Sequence, residues 1–328
     1  MNADQLTNRG LISAYLLDGH GGGRSVTWED IEAWDASAGT LWLHMEGDSA
    51  FTDQWLREKS GLEETVCDIL TREDVRPRSI PSGEGFLTVL RGINLNEGDD
   101  PEDMVSIRIY IDAHRIITTR LRFVRSIDDL RLALGAGHGP TTPGEFLAIL
   151  GERLVERMMD LIENITDEVE DLEEAVVSGH HGDVSDRLAK VRRQIVALRR
   201  HLAPQREALG LILGMDSLLL QDEDRRHLVE VLDRTIHYLE ELGSARDRAS
   251  VTQEEINNYM SKQVERRMYV LAVVAAIFLP LMFLTGLLGI NVGGIPGGQS
   301  PWGFLSVTTI LVGVFSLQIV LFRKLRWL

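Results

Sequence analysis

The chain has 328 residues, with 50 Asp and Glu against 34 Lys and Arg, for a formal net charge of −16. All of the acids and 31 of the bases lie in 1–267, a charge of −19 there; such a body repels nucleic acid and anionic lipid, and it gathers cations or simply stays well solvated. Cys67 is the single cysteine, which excludes an internal disulfide and a cysteine-based zinc cage and suits a reducing compartment.

The first segment, 1–143, reads as a mixed α/β domain. Leu11–Leu17, Thr40–Met45, Phe86–Arg91, Val105–Ile111 and Arg115–Leu121 are short runs rich in Ile, Val, Leu and Thr, as strands are. Asp53–Glu58 and Leu62–Leu70 read as short helices, and Gly19–Gly23 and Asn96–Pro101 as loops. The Gly-His-Gly-Gly-Gly loop lacks the Lys-Ser/Thr and the helix start that a phosphate cradle needs. The opening Met-Asn-Ala-Asp-Gln-Leu-Thr-Asn-Arg-Gly has no apolar stretch, so no cleaved signal is expected.

Strand signals stop at Gly144, and 144–221 reads as a helical hairpin. Leu154, Met158, Leu161, Ile165, Val169, Leu172 and Val176 recur at spacings of three and four. So do Leu188, Val191, Ile195, Leu198 and Leu202, after the turn at 178–182. Residues 145–178 carry eleven acids and two bases, whereas 183–207 carry seven bases and three acids. The two arms either complement each other or leave an acidic face that gathers cations.

The segment 222–290 reads as a stalk helix that continues into a first membrane span. Leu228, Leu232, Ile236, Leu239, Leu242, Ile256, Met260, Val264 and Met268 recur at helical spacing, with no proline before Pro280. A helix from Asp222 to Gly289 has 68 residues and is about 100 Å long. A helix of that length needs neighbours, which implies oligomerisation.

Residues 268–322 contain no Asp, Glu, Lys or Arg. As helices, Met268–Ile290 spans about 34 Å and Phe304–Phe322 about 28 Å, against a hydrocarbon core of about 30 Å, so both read as transmembrane. Arg266 and Arg267 precede the first span, Arg323, Lys324 and Arg326 follow the second, and the loop 291–303 is uncharged. Basic flanks stay inside, so both termini and the tail 323–328 are expected in the cytoplasm and the loop outside. Trp302 and Trp327 bracket the second span, 304–322, where indoles favour the interface.

The first span closes on Gly289-Ile290-Asn291, followed by the loop Gly-Gly-Ile-Pro-Gly-Gly, and the chain stops soon after a second span with a basic tail. This arrangement resembles the CorA-type divalent-cation transporters, whose first span ends in Gly-Met-Asn. Ile at the middle position, the uncharged loop and the closing Trp-Leu are similar to the zinc-transporting ZntB branch. The resemblance covers the whole chain. It implies an α+β membrane protein with a cytoplasmic α/β domain, assembled as a homopentameric funnel in a bacterial inner membrane, that moves a divalent cation and is not an enzyme. It implies zinc over magnesium as the cargo, with nickel and cobalt open, and no bound cofactor. The expected partners are other copies of the chain, the bilayer and the metal ion.

In that arrangement the long helix lines the pore. Stepping back from Asn291 in register with the family gives Gly286, Met282, Leu279, Ala275, Leu271 and Met268 as pore-lining residues. That wall offers no carboxylate, imidazole or thiolate, and a bare divalent ion against it would cost on the order of tens of kcal/mol. The ion must keep its water, and a ring of Asn291 amides with Gly289 and Ile290 is the expected filter, reading the water shell without stripping it. Asn291 also suits a plain helix cap. Leu279 and Met282 could gate by dewetting. The zinc branch implies proton coupling, yet no side chain in 268–322 titrates near neutral pH, so a coupled proton would use pore water or cytoplasmic groups.

Glu254 and Glu255, on the stalk below the membrane, are expected to raise cation concentration around a symmetric pore, or else form a solvated face. His180 and His181, near Asp183, allow a weak exposed metal site or a polar turn; His227 and His237 are ten apart and fall on different helix faces. Two other classes fit less well. A membrane-anchored sensor would need more than the short external loop. An anchored enzyme would need a nucleophile–base pair, a ligand cluster or a Walker motif, and none is found.

Overall fold

The computed structural model describes residues 10–73, 75–180, 182–215, 219–289 and 300–325. The Ile-, Val- and Leu-rich runs pair into one seven-stranded sheet of β1 (Leu11–Leu17), β2 (Gly23–Ser25), β3 (Leu41–Glu46), β4 (Arg78–Ser82), β5 (Gly85–Gly92), β6 (Val105–Ile111) and β7 (Arg115–Arg120), in the order β2-β1-β3-β7-β6-β5-β4. β3 and β7 run parallel, with His44 opposite Thr118, and the other neighbours are antiparallel.

Alternation along β3 sends its residues to two covered faces. Leu41, Leu43 and Met45 join a core with Leu56, Val66, Cys67 and Leu70 of the short helices α2 (Ala50–Glu58) and α3 (Glu64–Thr71). Trp42 turns to the other face, where its ring meets Phe146 edge-on at 4.9 Å. Phe146 belongs to α5 (Pro143–Glu156), which follows α1 (Trp28–Glu32) and α4 (Arg125–Gly135) in the chain. A strand covered on both sides reads as a continuous apolar run, and Leu-Trp-Leu-His-Met does.

After a turn at Arg157–Met158 come α6 (Met159–Val177) and α7 (Val184–Gly214). Ile162, Ile165, Val169, Leu172 and Val176 face Leu188, Val191, Ile195, Leu198 and Leu202 in a buried seam. Ile162 takes the inward place expected for Leu161, four residues after the buried Met158 and three before the buried Ile165. The carboxyl-terminal half of α7 lies on the sheet edge: Ser79 Oγ donates to the Ala208 carbonyl at 2.9 Å, and the Gln205 carboxamide oxygen accepts from Arg91 N at 2.7 Å.

α8 runs unbroken from Asp222 to Gly289, as the periodicity predicts, and α9 spans Gly303–Lys324. Its start is fixed by Asp224, whose carboxylate accepts from Gln221 N at 2.9 Å and lies where the helix dipole favours negative charge. Gly144 is required beside it: a Cβ there would lie 2.4 Å from both Asp224 Oδ2 and the Leu219 carbonyl. The buried stripe of α8 is Leu228, Val231, Thr235, Tyr238, Leu239, Leu242, Ala245, Ala249, Thr252 and Ile256. Leu232 and Ile236, expected in it, sit at its edge, and Met260, Val264 and Met268, also expected in it, are exposed. The chain divides into two compact units, 1–253 and 254–328.

Candidate ion pathway

In the second unit, α8 and α9 are apolar and almost wholly uncovered. Leu271, Leu279 and Met282 are 63, 67 and 64% exposed, and Phe304 is 86% exposed. Among the described residues, two helices are long and apolar enough to cross a membrane by length and composition. An apolar surface of this extent has to be covered by lipid or by other chains.

Among the described residues of this unit after Ile256, Val273 and Phe322 are buried, while Ala276, Ile277, Pro280, Leu281 and Leu284 are half-buried. Phe278, Leu281, Met282 and Thr285 line one side of a groove of about 340 Å³, with Leu311, Val312 and Phe315 of α9 on the other. Gln318 of α9 donates from Nε2 to the Ala276 carbonyl at 3.3 Å. The two apolar helices therefore pack through one side of α8. Met268, Leu271, Ala275, Leu279, Met282 and Gly286 are all exposed in the single chain, although Met282 also reaches the groove edge. Gly289 ends α8; Ile290 and Asn291 lie outside the described residues.

Glu254 and Glu255 are exposed on α8, fourteen and thirteen residues before Met268. His180 is exposed, and His181 lies outside the described residues. The backbone explains the turn at His180 without a metal. Gly179 adopts φ 81°, its N–H bonds the Val176 carbonyl, and His180 N–H bonds the Ala175 carbonyl, the pattern that satisfies a helix end. His227 and His237 are exposed, and His237 Nε2 lies 3.3 Å from Glu241. Among the described residues, no group of three or more His, Cys, Asp or Glu could hold a metal ion.

The acidic helix α6 finds bases in two places. Arg187 of α7 meets Glu168 at 2.9 Å, and Arg248 of α8 grips Glu173 at 2.5 Å and Glu170 at 2.9 Å. Those two carboxylates raise the Arg248 pKa, through hydrogen bonds first to Glu173 and then to Glu170. Sequence reasoning saw the acidic and basic arms as composition and missed Arg248, an arginine that precedes the small Ala249 of the buried stripe of α8. It also missed Gln318, whose signal was an amide inside an uncharged apolar run.

Residues 37–324 match the family described as CorA-like Mg2+ transporter protein. The divalent cation transporter CmaX of Pseudomonas aeruginosa is 41% identical over 98% of this chain and 97% of its own. The zinc transport protein ZntB of Pectobacterium carotovorum is 34% identical over 99 and 98%. The full-length CmaX structure superposes with a TM-score of 0.84 at 40% identity, covering 97% of this chain and 98% of that one. The CorA magnesium transporter of Methanocaldococcus jannaschii shares the fold, with a TM-score of 0.77 at 19% identity over 96 and 98%. The sheet, the long α8 and the apolar helices thus lie within a match that spans nearly the whole of full-length relatives, and the chain belongs to the CorA-like Mg2+ transporter family.

Proposed function

We propose that this protein carries divalent metal cations, zinc foremost, across a bacterial inner membrane through a homopentameric pore lined by α8, with both termini in the cytoplasm. The observation that carries the reading is the free side of α8. From Met268 to Gly286 it is apolar, uncharged and exposed, while another side packs on α9. Two spans per chain cannot enclose a pore, so copies of α8 close around one. With no ligating side chain on that wall, the ion crosses with its water shell, and the ring of Gly289, Ile290 and Asn291 reads the hydrated ion. Zinc rests on the Ile290 variant, on the uncharged loop and on similarity to ZntB proteins.

A broader Mg2+, Co2+ or Ni2+ channel is the second reading, favoured by the similarity to CmaX, a divalent cation transporter. Purified protein in liposomes decides between them. Native mass spectrometry should give a pentamer, and zinc uptake should exceed magnesium uptake. Asn291→Leu should assemble normally and abolish uptake, because the substitution removes the amide that would meet the hydrated ion. Asn291→Asp should hold cations and discriminate less, since a carboxylate ring displaces their water. Wild-type uptake by the Leu variant would reduce Asn291 to a cap, and a stable monomer would sink the pore.

A further inference from the structure

Pro280 interrupts the backbone ladder of α8 in the middle of its apolar segment. It has no N–H, so the carbonyl four residues earlier, that of Ala276, loses its helical donor, and the proline ring crowds that same carbonyl. In hydrocarbon no water replaces the lost bond; a neighbouring helix has to supply it. Gln318 of α9 does so, with Nε2 3.3 Å from the Ala276 oxygen across 42 residues of sequence. Its other polar atom, Oε1, is buried with no hydrogen-bond partner among the described residues. A leucine or methionine at 318 would avoid that unpaired oxygen, so the amide is useful there for its donor.

Pro280 sits between Leu279 and Met282, two of the residues assigned to the pore wall. We propose that Gln318 is a positioning residue for transport: its carboxamide replaces the amide hydrogen that Pro280 lacks and holds the Leu279–Met282 stretch of α8 in its conducting orientation. The second span then latches the proline hinge from the side opposite the ion and touches no ion itself. This inference rests on the transport reading above.

The test uses full-length protein in liposomes loaded against Zn2+, with Gln318→Met, which keeps length and loses the donor, Pro280→Ala, which restores the backbone N–H, and the double variant. An interhelical bond of this kind predicts that Gln318→Met lowers the maximal uptake rate about three- to tenfold, with the half-saturating zinc concentration unchanged. In the Pro280→Ala background the same substitution should change nothing, because the Ala276 carbonyl has regained its own donor. Unfolding midpoints in detergent should show the same non-additivity. Wild-type uptake by Gln318→Met overturns the proposal, and so does an equal loss in both backgrounds. A lowered midpoint with unchanged uptake overturns the positioning role and leaves a structural bond. If wild-type liposomes pass no divalent cation, the transport reading fails. The unfolding cycle then decides the latch alone, as it does if Pro280→Ala itself abolishes uptake: additive midpoints overturn it.

Discussion

His44 lies in the parallel heart of the sheet, 1% exposed, with Nδ1 2.9 Å from Thr118 Oγ1. Burial, helped by the positive charges of Arg120 and Arg131, depresses its pKa to about 3. Unfolded histidine titrates near 6.5, so between about pH 6.5 and 3 the unfolded chain binds a proton that the folded one excludes. His44 therefore favours folding above about 6.5, and that contribution is lost as pH falls, by at most about 1.4 kcal/mol per unit. Unfolding midpoints of wild type and His44→Asn, followed from pH 7 to 5, should converge as the wild type loses stability faster; parallel curves would mean that another group carries the acid limb. At this scale the sequence was partly legible. A histidine within Leu-Trp-Leu-His-Met marks a covered polar group, but its neutral state depends on burial between two layers, which a strand pattern does not show. The exposed stripe from Met268 to Gly286 was chosen by its register with Asn291, since a wholly apolar helix has no periodicity to choose with.

Among the elements, α8 runs from Asp222 to Gly289, close to the bounds its periodicity gives, with Gly243 and Pro280 accommodated inside it. Five of the seven strands were read within a residue or so of their ends. β2 has three residues and β4 carries Pro81, which suits an edge strand and hides the signal. α1 was missed although Thr27 and Asp30 form a reciprocal capping box at its start. The acidic and basic arms were visible as composition, but their pairing was not, because Arg248 reaches Glu170 and Glu173 across more than seventy residues of sequence. That clamp ties α8 to α6. Its side chain keeps about a third of its surface exposed, so solvent screens it and its worth is about 0.5–1 kcal/mol. Arg248→Met should lower the unfolding free energy by that amount in 0.1 M salt and by much less in 1 M salt, seen as a lowered midpoint in thermal melts of the detergent-purified protein. An undiminished deficit at 1 M would show that the arginine stem packs rather than pairs.

For the whole molecule, the division into an acidic body and an uncharged pair of spans was legible because charge stops abruptly at Arg267 and returns at Arg323. The sheet order was not, since β3 and β7 pair in parallel across some seventy residues and no local pattern announces that. The same abrupt charge boundary leads to a prediction about flux. The body carries −19, and Glu254 and Glu255 are exposed on the helix that continues into the first span. In a pentamer each position is repeated five times around the axis, and a ring of like charge raises the local cation concentration without contacting the ion. Such attraction fades with salt, because the Debye length falls from about 10 Å at 0.1 M to about 3 Å at 1 M. Glu254→Gln with Glu255→Gln should therefore slow zinc uptake in low salt, approach the wild-type rate in high salt, and leave the ratio of zinc to magnesium uptake unchanged. In the proposed pore discrimination belongs to the Asn291 ring and not to the stalk, so a double variant that altered the preferred metal while keeping its rate would place discrimination on the stalk and refute steering.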